Sequence, residues 1–121
     1  DWSIVIDAGV DMVNFDAFGY GETIALYPDK VTEFINREGI LAWGLIPTSH
    51  EVRSQSSLSL ISHLEKLISQ LSDATGLAKE KIHAQSIITP SCGTGSMDIE
   101  DAECVFQLLS EVSDTLQEKY N

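Results

Sequence analysis

Asp16, His50 and Cys92 are the residues whose types and positions suggest chemistry, and each follows a short apolar run. A carboxylate, an imidazole and a thiol are the donor types that zinc accepts in a tetrahedral site. A thiol beside an imidazole base is also the basis of nucleophilic cysteine catalysis. A third interpretation makes Cys92 a structural loop residue. The chain has no Cys-x-x-Cys pair, so the spacing leaves all three interpretations open.

The apolar runs in front of these residues predict three β-strands. Residues 10–15 alternate between apolar and polar side chains, and residues 84–89 contain a β-branched run that stops at Pro90. The run Ile40–Ile46 is apolar throughout, which is typical of a parallel strand buried on both faces. The strands therefore end at Asp16, at the segment 47–50 and at the segment 91–93.

Helices are expected between the strands. The pattern predicts a helix up to Ala8 that Gly9 ends, one that begins at Pro28, and a long one from the serines at 54–59 to about Thr75. Residues 77–82 are expected to be a connector. The last predicted helix covers residues 98–118, with an apolar stripe made of Ile99, Ala102, Val105, Phe106, Leu109, Val112 and Leu116.

This alternation of helices and strands predicts an α/β domain over residues 1–121, with three parallel βα units. Carboxyl ends of parallel strands share one edge of the sheet, so Asp16, His50 and Cys92 are expected to emerge near one another. Three strands leave both edges of the sheet bare. We therefore expect either a part of a larger barrel or doubly wound sheet, which is favoured, or self-association through the open sheet edges.

Composition excludes some classes of partner. Nineteen acidic and seven basic residues give a net charge of −12, which disfavours nucleic acid and anionic membrane surfaces. The sequence contains no run of about 18 apolar residues, so no membrane span is predicted. Cys92 and Cys104 lie in different contexts, a loop and a helix face, which favours a cytoplasmic, reducing environment. The start at Asp1 has no initiator methionine or signal-peptide pattern, so a longer chain is expected.

Four segments carry a resemblance to a known family. Residues 88–93, Ile-Thr-Pro-Ser-Cys-Gly, resemble the Asn-Pro-Asp-Cys-Gly segment of cobalamin-independent methionine synthase. The strand end 13–16 resembles the strand of that family that bears a glutamate. Residues 39–48 and the turn 27–29, Tyr-Pro-Asp, look like a related branch of the uroporphyrinogen decarboxylase/methionine synthase-like superfamily. The resemblance covers essentially the whole chain, and it implies the last three βα units of a (β/α)₈ TIM barrel, as a C-terminal fragment.

The resemblance also implies a zinc-dependent methyltransferase of methionine biosynthesis, which activates a homocysteine-like thiol toward a methyl donor. By position, Cys92 would be a metal ligand, and Asp16 would replace the glutamate ligand with a side chain one methylene shorter. The family's remaining His and Cys ligands have no counterpart, so an incomplete zinc site is expected. His50 is the catalytic candidate, although it lies three residues beyond Pro47, where the family has a proton-donating histidine.

Two other functions stay open. The decarboxylase side of the superfamily uses basic residues that hold substrate carboxylates, but Arg37 and Arg53 do not lie at strand ends. A non-catalytic part-barrel domain that acts by assembly is the other alternative.

Overall fold

The computed structural model describes residues 2–95 and 97–120, and within them it contains one three-stranded parallel sheet and six α-helices. The elements are α1 (Trp2–Asp7), β1 (Met12–Asp16), α2 (Ala17–Tyr20), α3 (Pro28–Asn36), β2 (Ile40–Ile46), α4 (Ser57–Thr75), α5 (Lys79–Ala84), β3 (Ser86–Pro90) and α6 (Ile99–Tyr120), with 3-10 helices at Gly21–Leu26 and His50–Ser54. The predicted class, α/β with three parallel strands, is confirmed.

Strand β2 is the centre of the sheet, because it pairs with β1 on one side and β3 on the other. In this register Trp43 lies between Phe15 and Ile88. Every residue of β2 after Ile40 is buried, as its continuous apolar run predicts. The order of strands in space thus equals their order in the chain.

The two faces of the sheet differ in exposure. Side chains along a strand point alternately to the two faces of the sheet. Val13, Leu41 and Trp43 lie on the face that the helices cover, and they are at most 7% exposed. On the opposite face Met12 is 49% exposed and Ile87 41%. This second face, which we call the open face, is free of helix packing at these positions.

Small residues of β2 shape the open face. Asn14, Ala42 and Ile87 are register partners, and Gly44 follows two residues after Ala42. The Thr89 hydroxyl donates to Asn14 Oδ1 at 3.0 Å, so the two outer strands are bridged across the central one. Longer side chains on β2 would separate these two polar groups.

Trp43 anchors the covered face. It is fully buried, its ring centroid lies 5.0 Å from that of Phe15, and its Nε1 donates to Ser86 Oγ at 2.9 Å. The indole therefore packs against β1 and satisfies its one donor on β3. Replacing a buried aromatic side chain of this kind by alanine costs about 3–5 kcal/mol.

Helix α4 begins and ends as its sequence indicates. Ser56 and Ser59 form a reciprocal capping box, in which each hydroxyl accepts from the other residue's backbone N–H. Gly76 ends the helix at φ 77°, a left-handed conformation that favours glycine. The buried stripe of α4 contains Leu60, Leu64, Leu67, Ile68 and Leu71, as predicted.

The predicted stripe of α6 is partly wrong. Val105 and Val112 are buried, but Phe106 is 55% exposed and Ile99 is 78% exposed. The buried positions are Asp101, Val105, Leu108 and Val112, which recur at helical spacing. Phe106 lies about 100° around the helix from Val105 and so points away from that contact.

The predicted connector 77–82 is also wrong in part, because α5 covers Lys79–Ala84. Its one buried residue is Ile82, and six residues are too few to show a helical period. The buried amide of Gln85 follows and donates to the carbonyls of Ile35 at 2.9 Å and Gly39 at 2.8 Å. These bonds attach the end of α5 to the α3–β2 turn.

None of the helices described in residues 2–95 and 97–120 has the length and apolar character needed to cross a membrane.

We expect Gly44→Ala to lower the free energy of unfolding by about 1–3 kcal/mol, because the methyl group overpacks a site without space for it. A Cβ at residue 44 would lie 2.6 Å from the Phe15 carbonyl oxygen and 3.0 Å from Ser91 Cα. Urea denaturation followed by circular dichroism measures the change. Gly95→Ala is the control, since a Cβ there meets nothing within 4 Å. Equal stabilities of the two variants would contradict the packing.

A polar cluster attaches the end of α6 to α4 and α5. Lys119 Nζ lies 2.9 Å from both carboxylate oxygens of Glu65, and the Tyr120 hydroxyl donates to Glu65 at 3.1 Å. The His83 ring stacks on Tyr120 with centroids 3.7 Å apart. The hydrogen bond from Lys119 lowers the pKa of Glu65, and burial lowers the pKa of His83 below its ordinary 6.5.

These shifts predict a loss of stability in acid. In the unfolded chain His83 binds a proton near pH 6.5, whereas in the folded protein its lowered pKa disfavours the protonated form. The free energy of unfolding therefore declines as the pH falls below 6.5. Glu65 adds a second loss below its ordinary pKa of 4.5. We expect His83→Phe, which keeps an aromatic ring beside Tyr120, to remove the first loss. Melting temperatures between about pH 7 and about pH 5 test this; an unchanged pH profile would contradict it.

Candidate functional site

The carboxyl edge of the sheet carries a cleft of about 500 Å³. All three strand ends contribute to its lining, which consists of Asp16, Phe18, Gly19, Tyr20, Pro47, Thr48, Ser49, Glu51, Ser91 and Cys92. Asp16 and Cys92, predicted to emerge at one edge, therefore do line the same cleft. We call this feature the carboxyl-edge cleft.

Asp16 enters the cleft as the residue before α2. Its backbone is extended, at φ −74° and ψ 95°, and its Oδ1 accepts a hydrogen bond from Gly19 N–H at 2.9 Å. This is helix N-capping, which aspartate favours. The bond fixes one carboxylate oxygen locally, and a Cβ at residue 19 would come within 3.1 Å of the other oxygen. Glycine at 19 therefore leaves space beside Asp16 Oδ2.

The end of β2 contributes a turn and a 3-10 helix. The Ser49 hydroxyl accepts from Glu51 N–H at 3.3 Å and so caps the 3-10 helix His50–Ser54. His50 is exposed and is not among the lining residues, whereas its neighbour Glu51 is. Of the three predicted site residues, the structure thus brings together two and leaves His50 at the periphery.

The end of β3 brings Cys92 into the cleft. Ser91 N–H donates to the Ile46 carbonyl at 2.8 Å, and the Ser91 and Thr48 hydroxyls lie 3.1 Å apart. These two contacts join the turn after β3 to the turn after β2. Cys92 follows directly and is exposed, with a free thiol. The thiol is therefore accessible from solvent and directly follows Ser91, which the turn after β2 holds.

The charge of the cleft comes from Asp16 and Glu51, and its described lining includes no lysine, arginine or histidine. Further polarity comes from the hydroxyl groups of Tyr20, Thr48, Ser49 and Ser91. Such a lining favours a neutral or cationic ligand over a phosphate or carboxylate. Sequence reasoning missed Glu51 and the Thr48–Ser91 pair, for which the one signal was their position just after strands.

Metal binding needs more donors than this edge provides. No three His, Cys, Asp or Glu side chains come close enough to hold a metal ion within the ranges 2–95 and 97–120. Cys92 and Asp16 offer one sulfur and one oxygen donor, while a catalytic zinc site uses three protein ligands. The described residues do not make a metal site by themselves.

Both arginines have structural partners away from the cleft. Arg37 Nη2 donates to the carbonyls of Ile6 at 2.8 Å and Val10 at 3.1 Å. Arg53 pairs with Asp101 and, at 3.4 Å, with Glu100. Neither guanidinium is placed to hold the carboxylates of a decarboxylase substrate.

Two further cavities follow the free edges of the sheet. One, of about 250 Å³, lies beside β1 and is lined mainly by apolar residues that include Trp2, Val5 and Phe15. The other, of about 410 Å³, lies beside β3 and includes Ile87 and Leu116. Both run along strands whose outer side has no partner strand in the described sheet.

Comparisons with known proteins yield nothing similar: no family model, curated protein or solved structure matches the chain. The resemblance to the methionine synthase-like superfamily therefore stays a prediction.

We expect Cys92 to react with a thiol reagent at least about tenfold faster than Cys104, because thiolate exposure controls the rate. Cys104 is partly buried, packs on the core, and lies with its Sγ 3.8 Å from the Val52 carbonyl oxygen. Alkylation by iodoacetamide, read by peptide mass spectrometry, measures both rates. Cys92→Ser and Cys104→Ser assign them, and equal rates would contradict the exposed position of Cys92.

Proposed function

We propose that the chain is part of a (β/α)₈ barrel and that the carboxyl-edge cleft is part of the active site of a zinc-dependent methyltransferase, which activates a substrate thiol. One observation carries the proposal: the exposed thiol of Cys92 and the carboxylate of Asp16 line the same cleft at the carboxyl edge of a parallel sheet.

The direction in which the sheet winds supports the barrel. Strands of a barrel follow one another in chain order with all helices on the outer side. A doubly wound sheet reverses direction and carries helices on both faces. Here the order is β1-β2-β3, and the open face exposes Met12 and Ile87. Further strands would pair with the free edges of β1 and β3, and the open face would become barrel interior.

The chemistry of their donor atoms supports zinc as an ion that Cys92 and Asp16 would share. Cysteine sulfur and aspartate oxygen are both zinc ligands, and the other ligands would come from residues outside those described. When bound, zinc stabilises a substrate thiol as the thiolate, which is the nucleophilic form at neutral pH.

The chain's own residues would hold and orient the substrate. Asp16 keeps one oxygen on the Gly19 amide, which fixes the carboxylate while its other oxygen stays unblocked by residue 19. The aromatic rings of Phe18 and Tyr20 give the cleft apolar walls, and Glu51 adds negative charge. These features favour a small amino thiol over an anionic thiol. A proton-donor role for His50 stays a prediction.

A second candidate function is assembly through the open sheet edges, without catalysis. The cavities beside β1 and β3 favour it, because apolar side chains stay exposed there: Val5 is 41% exposed and Ile87 41%. Uncovered strand edges are templates for pairing with another chain. Light scattering of the purified protein distinguishes this candidate, since a strict monomer would contradict it.

We expect the whole protein to bind zinc, and Cys92→Ser to weaken that binding by at least about 100-fold, the upper range seen when merely an outer-shell partner is removed. Asp16→Asn should weaken it less, since the amide keeps an oxygen donor. Competition with a chromophoric chelator measures the affinities.

Cys104→Ser is the matched control, because this cysteine contacts Val52 and not the cleft. It should bind zinc like the unchanged protein. Equal affinity of Cys92→Ser and Cys104→Ser would remove Cys92 from the site and contradict the proposal.

A further inference from the structure

Arg53 and Asp101 form an ion pair between two elements that flank the carboxyl-edge cleft. Arg53 lies in the 3-10 helix His50–Ser54, and its Nε donates to Asp101 Oδ1 in the first turn of α6. The Asp101 side chain is 10% exposed, and among the acidic residues in the described ranges this one alone is buried. A buried carboxylate is retained where it has a cationic partner, since burying an unpaired charge is costly.

The pair connects the two turns that carry the cleft residues. We call residues 47–56 the Thr48 loop. This loop contains the cleft residues Thr48, Ser49 and Glu51, and it also contains Arg53. The Cys92 loop, described over residues 91–95 and 97–98, ends where α6 begins. At its start the Cys92 loop is tied to the Thr48 loop by the Thr48–Ser91 hydroxyl contact of 3.1 Å. At its far end the Arg53–Asp101 pair ties the same two segments again.

Between these two ties the Cys92 loop has little packing at its two glycines, whereas the partly buried side chain of Met97 packs against the core. A Cβ at Gly93 or Gly95 would meet nothing within 4 Å, so the backbone there runs through open space. The Met97 N–H donates to the Thr94 carbonyl at 3.1 Å, which closes a turn inside the loop. Segments with few buried contacts open locally at low free-energy cost.

The Thr48 loop is by contrast well anchored. Val52 is fully buried in the core, and its carbonyl is the acceptor for the Cys104 thiol on α6 at 3.8 Å. Ser54 Oγ donates to the Glu51 carbonyl at 2.8 Å. The ion pair therefore joins an anchored segment to the end of a loop that is weakly packed at its two glycines.

We infer that the Arg53–Asp101 ion pair is a positioning device, which holds the far end of the Cys92 loop so that the thiol stays in the cleft. Both residues act through the loop and do not line the cleft. Glu100 also approaches Arg53, but at 3.4 Å and with 84% exposure it adds little. The metal-affinity arm of the test below rests on the proposed function, and the loop-order arm does not.

Hydrogen exchange with mass spectrometry tests the loop directly. Arg53→Gln and the isosteric Asp101→Asn should each accelerate amide exchange in residues 91–98 by about tenfold, while peptides of α4 exchange at the original rate. Arg53→Lys keeps the positive charge and should restore part of the protection. Glu100→Gln is the matched control and should leave exchange unchanged.

The double variant separates coupling from independent effects. Each single change leaves one partner buried or unpaired, so the combined Arg53→Gln/Asp101→Asn change should add little to either single one. Three results would each overturn the inference: a double variant in which the two accelerations multiply, unchanged loop exchange in both single variants, or faster exchange throughout α4.

Zinc affinity then tests whether the ion pair keeps the Cys92 thiol in position to bind metal. If the whole protein binds zinc, Arg53→Gln should weaken binding by about tenfold, as loss of an outer-shell contact does, while Glu100→Gln has no effect. Absence of zinc binding in the unchanged protein would count against the proposed function alone, because the exchange experiment needs no metal. Unchanged zinc affinity in Arg53→Gln would overturn the positioning role.

Discussion

The packing of β2 between its two neighbours is the constraint on which the rest of the structure depends. Both edges of this strand are hydrogen-bonded, and Trp43 contacts Phe15 on one side and Ser86 on the other. At Gly44 the β1 backbone and the turn after β3 come so close that no side chain fits. The ends of β1 and β3 are thereby held at one edge, and the spacing of the cleft residues follows from the spacing of the strands.

Asp16 and Cys92 are positioned in the cleft in different ways, one by local capping and the other by long-range pairing. Asp16 is fixed by a bond within four residues, so its position depends on its own turn. Cys92 depends on contacts over longer distances in sequence, through Ser91 to Thr48 and through Asp101 to Arg53. A carboxylate held locally and a thiol held by two loops can change independently of one another. Together with the open face, this arrangement is what supports our proposal of a partial barrel site.

Sequence patterns predicted the parts of this structure that repeat. The run Ile40–Ile46 matches β2 at both ends, and the serines before α4 and Gly76 after it mark its limits. The shared edge of Asp16 and Cys92 followed from the parallel order alone. Position around a helix axis was less predictable, and Phe106 is exposed because the contact surface of α6 includes Asp101 instead.

Pairing between distant residues could not be predicted. Arg53 and Asp101 are 48 positions apart, and each alone has the composition of a solvated surface residue. The 3-10 helix after β2 likewise decides that Glu51 lines the cleft and His50 does not, although the two are adjacent. The sequence therefore predicts which loops form the site, while the register of each loop depends on tertiary contacts.

The most direct test of a shared site for Cys92 and Asp16 is the optical spectrum of the whole protein with cobalt(II) in place of zinc. A thiolate ligand produces a sulfur-to-cobalt charge-transfer band. Our account predicts this band in the unchanged protein and in Cys104→Ser, a clearly weaker band in Cys92→Ser, and a shifted ligand-field spectrum in Asp16→Asn. A band of unchanged intensity in Cys92→Ser, or cobalt bound with no thiolate band at all, would contradict the account.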